Sequence, residues 1–269
     1  MTCKKYNLTG QQILPALISA LGGTGMLVSC EGGGFAKADP DQAVVEGYLH
    51  AGRTAEIRIN QQFVYEREDT TFEMPIGELD IVLTNLTTEE KEILREGESG
   101  YYYSEDVIRE GNSYKLEFEY AGKSVWATTS IPSRPVRFKA DANDLLHTER
   151  FSDDTLRYVS YEWSNPELDY HLYYIEHMES WTTPIYNYSG PRTKTYNPTQ
   201  DTTFQVNSKE FDYYGRHYVI LFHVNQEYVD LYYSNSSNSQ NITNPPTNIH
   251  NGYGIFTGMS SDTLMLKLY

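Results

Sequence analysis

From Ala43 onward, apolar positions recur every second residue rather than every 3.6. The clearest run is Tyr114-Lys115-Leu116-Glu117-Phe118-Glu119-Tyr120. Leu116, Phe118 and Tyr120 share one face, and Lys115, Glu117 and Glu119 the other. Ala121-Gly122-Lys123 then makes a tight turn into Ser124-Val125-Trp126-Ala127-Thr128-Thr129, which predicts a hairpin. Ala43 to Leu49, Glu56 to Asn60 and Asp80 to Thr84 read as further strands. The stretch from Thr87 to Arg95 is ambiguous. Thr87 and Glu90 have the spacing of a helix capping box, but every neighbour is a strand. The favoured reading is a strand that turns through Gly97-Glu98-Ser99-Gly100 into Tyr101-Tyr102-Tyr103.

Ile131-Pro132-Ser133-Arg134-Pro135 punctuates the chain and marks the expected domain boundary. Alternation resumes from Leu156 to Trp163. A turn at Asn165-Pro166 follows, then the tyrosine-rich strand from Tyr170 to Glu176. A tryptophan strand, a proline turn and a tyrosine strand resemble the start of a fibronectin type III sandwich. Thr203 to Val206, Tyr218 to Val224 and Thr263 to Leu268 complete the set, and no long helix is expected. Short strands separated by turns predict an all-β chain of two immunoglobulin/fibronectin type III-like β-sandwich domains, residues 43–132 and 136–269.

The N-terminus follows a different rule. Residues 1–29 carry no acid, and their only charges are Lys4 and Lys5. The apolar stretch from Ile13 to Val28 is broken by Pro15 and three glycines, and is too short for a membrane span. Charged start, apolar middle and small residues before a cut site read as an export signal. The site ends in Leu27-Val28-Ser29-Cys30, which resembles the lipobox of bacterial lipoproteins. That resemblance implies cleavage before Cys30 and lipidation of its thiol and new amine. Several acyl chains anchor stably where one is marginal. Residues 30–42, beginning Cys30-Glu31-Gly32-Gly33-Gly34, read as a flexible tether.

Composition then narrows the chemistry. The net charge of −16 falls to −18 once residues 1–29 leave, because Lys4 and Lys5 go and no acid does. Nucleic acid is therefore not an expected partner. Cys3 leaves with the signal and Cys30 is lipidated, so the folded part keeps no thiol for catalysis, a disulfide or a metal. No nucleophile elbow, phosphate loop or zinc-protease motif occurs, and no catalytic, cofactor or metal residue is assigned. His171 and His177 are six residues apart, as are His217 and His223, a spacing too long for either pair to share a metal along one strand. The acidic residues read chiefly as a solvated surface, although a loop calcium site among them is open.

Tyrosine is the unusual count, at 24 residues. Tyr101-Tyr102-Tyr103, Tyr173-Tyr174, Tyr213-Tyr214 and Tyr232-Tyr233 are adjacent runs, and strand geometry would place neighbouring rings on opposite faces. Outer rings suit sugar stacking or protein docking, and tyrosine also simply favours half-buried strand surfaces. The best exposed candidates are Trp181, Tyr186 and Tyr188 in one loop, with Tyr101 and Tyr103. Four Asp-Thr sites, at Asp69, Asp154, Asp201 and Asp262, resemble an O-glycosylation pattern of exported proteins and equally fit ordinary turns.

Asn244-Pro245-Pro246-Thr247-Asn248-Ile249-His250-Asn251-Gly252-Tyr253-Gly254-Ile255-Phe256-Thr257-Gly258-Met259 is the most specific stretch, and its prolines and glycines read as a loop folded onto the sandwich. With Val44-Val45-Glu46-Gly47-Tyr48 and Gly111-Asn112-Ser113-Tyr114-Lys115-Leu116, it resembles DUF4249, a Bacteroidota lipoprotein family of unknown function. The resemblance implies a cell-envelope lipoprotein, often encoded near TonB-dependent outer-membrane receptors, and brings no catalytic residue. The expectation is a non-enzymatic outer-membrane lipoprotein, exposed at the cell surface, that binds a protein partner or ligand alongside such a receptor. The alternative is an extracellular carbohydrate-binding module or a glycan-processing accessory.

Overall fold

The structure is a computed structural model that describes residues 41–62, 74–147, 157–185, 190–236 and 246–269. The export signal, Cys30, Tyr186 and Tyr188 lie outside the described residues. The described chain falls within one compact unit, Ala38–Tyr269, and its regular structure is nearly all strand. None of its helices is long and apolar enough to cross a membrane.

The first half contains β1 (Ala43–His50), β2 (Thr54–Gln61), β3 (Val82–Asn85), β4 (Lys91–Ile93), β5 (Arg95–Glu96), β6 (Tyr101–Val107), β7 (Ser113–Tyr120) and β8 (Lys123–Ser130). The second contains β9 (Val136–Ala140), β10 (Asp144–Leu145), β11 (Tyr158–Ser164), β12 (Tyr170–His177), β13 (Thr183–Pro184), β14 (Thr193–Thr195), β15 (Thr203–Asn207), β16 (Tyr213–Val224), helix α1 (Gln226–Ser236) and β17 (Gly252–Leu268). Within the segment from Thr87 to Arg95, Thr87 and Thr88 lie in a turn and strand begins at Lys91, with β3 paired to β4 and β5 to β6. The β7–β8 turn places Ala121 at φ 49° and Gly122 at φ 72° between the paired residues Tyr120 and Lys123. Two positive φ values match the twist of the flanking strands, as in a type I′ hairpin.

Three sheets form. The largest follows the order β14-β12-β16-β17-β1-β2-β6-β5, with β10 and β13 joined at its margins; the others are β4-β3-β7-β8 and β15-β11-β9. Period-two burial explains two separate cores. Val45, Leu49, Ile57 and Ile59 of the large sheet pack with Leu116, Phe118, Val125 and Ala127 of the four-stranded sheet. Val219, Leu221, Leu266 and Leu268 pack with Val159, Tyr161, Trp163 and Phe204 of the three-stranded sheet.

The last strand departs from the expected organisation. β17 is 17 residues long. Gly252 to Met259 runs parallel to β1, and Met259 to Leu268 antiparallel to β16. One strand thus closes both halves, which a division between residues 132 and 136 does not capture. The residues from Gly252 to Met259 are therefore strand, not loop. The glycines permit close approach: a Cβ on Gly258 would sit 2.2 Å from the Ser130 carbonyl oxygen. Gly254 has φ +97°, and its Cβ would fall 2.0 Å from the Val45 oxygen. Glycine in a strand marks such backbone crowding.

α1 is the second departure. It carries Tyr232-Tyr233, which the strand pattern assigned to a sheet. The backbone N–H groups of Tyr228 and Val229 donate to the Asn225 carbonyl, and Gln226 Nε2 bonds Asp230 Oδ1 one turn on at 2.7 Å. Val229 seats the helix on Leu172, Val224 and Met259. Only one fully buried apolar residue faces the sheet, so the 3.6-residue signal is faint.

The halves are tied by polar contacts. Thr129 Oγ1 donates to Glu227 Oε1 at 2.8 Å and accepts from the Gly258 N–H at 2.9 Å and Asn225 Nδ2 at 3.1 Å. Thr257 Oγ1 adds a 3.2 Å bond to the same Glu227 oxygen. Nearby, the Ser133 carbonyl accepts from Ser260 Oγ at 2.7 Å and faces His223 Nδ1 at 2.8 Å.

Candidate functional site

The two faces of the β12–β16–β17 ladder differ in kind. Inward, Tyr173 stacks on Tyr196 (ring centroids 4.1 Å) and on Phe204 (3.7 Å), and Phe204 stacks on Tyr161 (4.7 Å). Part of the tyrosine excess is thus spent on filling a core without thiols. Burial pushes the Tyr173 phenol up to about 12, with the Glu210 charge adding to it.

Outward, register places Glu176, Tyr218 and Met265 in one cross-strand row, Tyr174, Ile220 and Thr263 in the next, and Leu172, Phe222 and Ser261 in the third. The outer face of an antiparallel sheet is ordinarily polar. Here Met265 is 52% and Tyr218 39% exposed, with Tyr174, Ile220 and Phe222 half-buried around them. α1 roofs the inner end of this face, bringing Tyr228 against Tyr48 of β1 (6.4 Å). Tyr232 and Tyr233 bond Asn197 Oδ1 at 2.6 Å and the Pro198 carbonyl at 3.1 Å. The rings of the face meet edge to face: Tyr174 with Phe222 at 76°, His50 with Phe222 at 67° and Tyr48 with Tyr228 at 74°. These pairs build an uneven apolar relief rather than a coplanar platform.

The expected site residues do not converge. Trp181 is 90% exposed. It lies in the loop after β12 whose Met178 N–H and Ile185 N–H bond the carbonyls of Arg216 and Asp212. That is the end of β16 where Gly215 pairs with Leu268. Ala43, at the tether, pairs instead with Gly252. The 17 residues of β17 separate those two registers by up to about 55 Å of strand. Tyr101 and Tyr103 lie in the first half, beside β2, and both rings are engaged. Arg58 sits 5.3 Å over Tyr101, and the Tyr103 ring covers Gly97, where a Cβ would meet it at 2.6 Å. Between them Tyr102 is fully buried, its hydroxyl donating to the Ile76 carbonyl at 2.9 Å.

The histidines, by contrast, come together across strands. β12 and β16 pair His171 with His223 and His177 with His217. The first pair stacks at 4.9 Å. His171 Nδ1 faces the Asp169 carbonyl at 3.2 Å, and His223 Nε2 lies 3.3 Å from Asp169 Oδ2. Burial, then the His223 ring, lowers His171 to about 4. The second pair meets at 5.0 Å and 71°, with Tyr213 and Phe211 packed on it. Burial, then the His177 ring, lowers His217 to about 4. Register across two strands, invisible to spacing along one, brings these rings together. Among the described residues, no three His, Cys, Asp or Glu side chains stand together as a ready metal set.

Comparison with known proteins returns a family and a fold. Residues 35–264 match the family described as "Domain of unknown function (DUF4249)", and the chain belongs to that family. No curated protein matches the sequence. A solved two-domain fibronectin type III segment of chicken tenascin is 11% identical, covers 84% of this chain and 99% of its own, and has a TM-score of 0.24. The FN1–FN3 domains of chicken CNTN1 are 12% identical, cover 70% of this chain and 61% of their own, and have a TM-score of 0.27. The all-β, sandwich-like architecture agrees with the fold class expected from the sequence.

Proposed function

We propose that this chain is a non-enzymatic lipoprotein of the outer membrane, anchored through Cys30 and exposed at the cell surface, that binds a protein partner through the outer face of β12, β16 and β17. The partner is a TonB-dependent receptor. One observation carries the reading: the outer face bears Tyr218, Met265, Tyr174, Ile220 and Phe222 where an antiparallel sheet usually shows polar residues. Tyrosine and methionine are enriched at protein interfaces. The edge-to-face rings favour a protein over a glycan, because sugar stacking calls for flat, coplanar rings. The register of β17 supports the orientation. The described chain begins beside the Ala43–Gly252 end, and Trp181 and the aromatic rows lie farther along the strand from Ala43.

The test is site-specific photocrosslinking in intact cells, with the crosslinker at position 218 or 265. An adduct with an integral outer-membrane receptor is expected, and Tyr174→Asp should abolish it. Adducts confined to glycan, or none at either position, would sink the proposal.

A further inference from the structure

The three-stranded sheet β15-β11-β9 carries an open cavity of about 310 Å³, lined by Arg137, Lys139, Glu162, Trp163, Ser164, Thr202 and Thr203. A second hollow of about 430 Å³ shares Lys139, Glu162 and Thr203 with it. The inner face of this sheet packs on β16 and β17. Its outer side chains therefore lie across the sandwich from the aromatic face.

The pairing of β9 with β11 explains what stands at the cavity. Glu162 pairs with Lys139 and Ser164 with Val136. Between these pairs β11 has only Trp163, whereas β9 has Arg137 and Phe138. Two residues opposite one make a β-bulge, which re-aims a side chain. Phe138 is buried, and Arg137 is exposed with φ +59°. A residue with a Cβ holds that conformation at a cost, and such strain clusters at ligand sites. Glycine would meet the bulge with less strain, so the backbone does not ask for arginine.

The polar groups of the cavity are only partly matched from within the chain. Lys139 pairs with Glu162 at 2.5 Å. Arg137 has no ion pair or hydrogen bond from its side chain among the described residues, nor have the hydroxyls of Ser164, Thr202 and Thr203. A guanidinium is thus left uncompensated in a chain of net charge −16. Trp163 is 5% exposed, and its Nε1–H is buried without an acceptor. A buried donor without a partner points to a group from outside the chain. The guanidinium fork matches a carboxylate in two parallel bonds. Hydroxyls both donate and accept, as a sugar's do. The volume is that of a small-molecule site.

We infer that the bulged face of β9 and β11 binds a uronic-acid sugar, with its carboxylate on Arg137 and its hydroxyls among Thr202, Thr203 and Glu162. The site is independent of the aromatic face and of its partner.

The experiment titrates the purified chain with D-glucuronate at pH 7, where the carboxylate is ionised. Nitrogen-15 NMR follows the backbone amides and the indole N–H signals. Saturable shifts of the amides of residues 137–139 and of one indole are expected. Glucose should give none, and acetate should give weaker shifts at equal concentration. Arg137→Gly removes the fork and the strain together. It should melt no lower than the wild type and bind on the order of tenfold or more weakly. No saturable shift with glucuronate, or equal shifts with glucose, would overturn the assignment, and neither readout needs a variant to fold. Acetate matching glucuronate would overturn the sugar, and undiminished binding by folded Arg137→Gly would overturn the role of the bulge.

Discussion

Thr129→Val is the most informative single perturbation of this fold. Valine keeps the shape of threonine and removes only the hydroxyl, which is fully used at a position 7% exposed. Its proton goes to Glu227, and its lone pairs take the Gly258 N–H and Asn225 Nδ2. The substitution strands the buried Gly258 N–H, at about 1–3 kcal/mol, and removes a hydrogen bond to a carboxylate, at about 1.5–3 kcal/mol. Glu227 keeps Thr257 and Asn225, so part of the second loss is recovered. The expected net loss is about 3 kcal/mol. With a urea slope of about 3 kcal/mol/M, the top of the usual range for small proteins, the midpoint should fall by about 1 M. Equilibrium urea unfolding, followed by tryptophan fluorescence and circular dichroism, reads this directly. Because Thr129 belongs to β8, Gly258 to β17 and Glu227 to α1, Thr129→Val and Glu227→Gln should also couple in a double-mutant cycle by about 1 kcal/mol or more. A midpoint within 0.2 M of wild type, or strictly additive changes, would refute the hub.

Four further outcomes are expected. Stability should fall as pH drops from about 6.5 towards 4, because burial and His223 hold folded His171 neutral down to about 4 while the unfolded chain protonates near 6.5. The His171 share is at most about 3 kcal/mol, and His217, also lowered to about 4 by burial, adds a comparable one; melting temperatures against pH should show the fall, and His171→Phe should remove about half of that slope, an unchanged slope contradicting the reading. Gly254→Ala should cost more than about 3 kcal/mol, since positive φ and a Cβ overlapping the Val45 oxygen act together; near-wild-type expression and melting would contradict this. Cys30→Ala should move the protein from the membrane fraction to the soluble one, and continued membrane retention would exclude the lipid anchor. Trp181→Ala should change stability by less than about 0.5 kcal/mol, as expected for a side chain 90% exposed, and a larger loss in thermal melts would mean the ring packs in solution.

Strands were readable because burial on one side of a sheet writes a period of two directly into the chain. The run from Lys115 to Tyr120 shows it, as do the paired tyrosines: Tyr102 is buried between two half-buried rings, and Tyr173 faces the core while Tyr174 faces out. α1 was not readable, because one buried valine and several tyrosines produce neither period clearly. The glycines at 252, 254 and 258 misled for a physical reason. Sequence shows that a Cβ is missing, but not whether a turn or a neighbouring backbone requires the gap.

Sequence alone determined the strand-rich class, the inside-outside alternation, the family resemblance and the anchoring expectation at Cys30, because each is a local property of residue type and spacing. Only the tertiary structure decided that one C-terminal strand closes both halves, that α1 shelters one end of an apolar outer face, and that four histidines become two pairs. Those features depend on register between segments tens of residues apart. Register is fixed by the packing of both faces of the sheet at once, and no single strand carries that information.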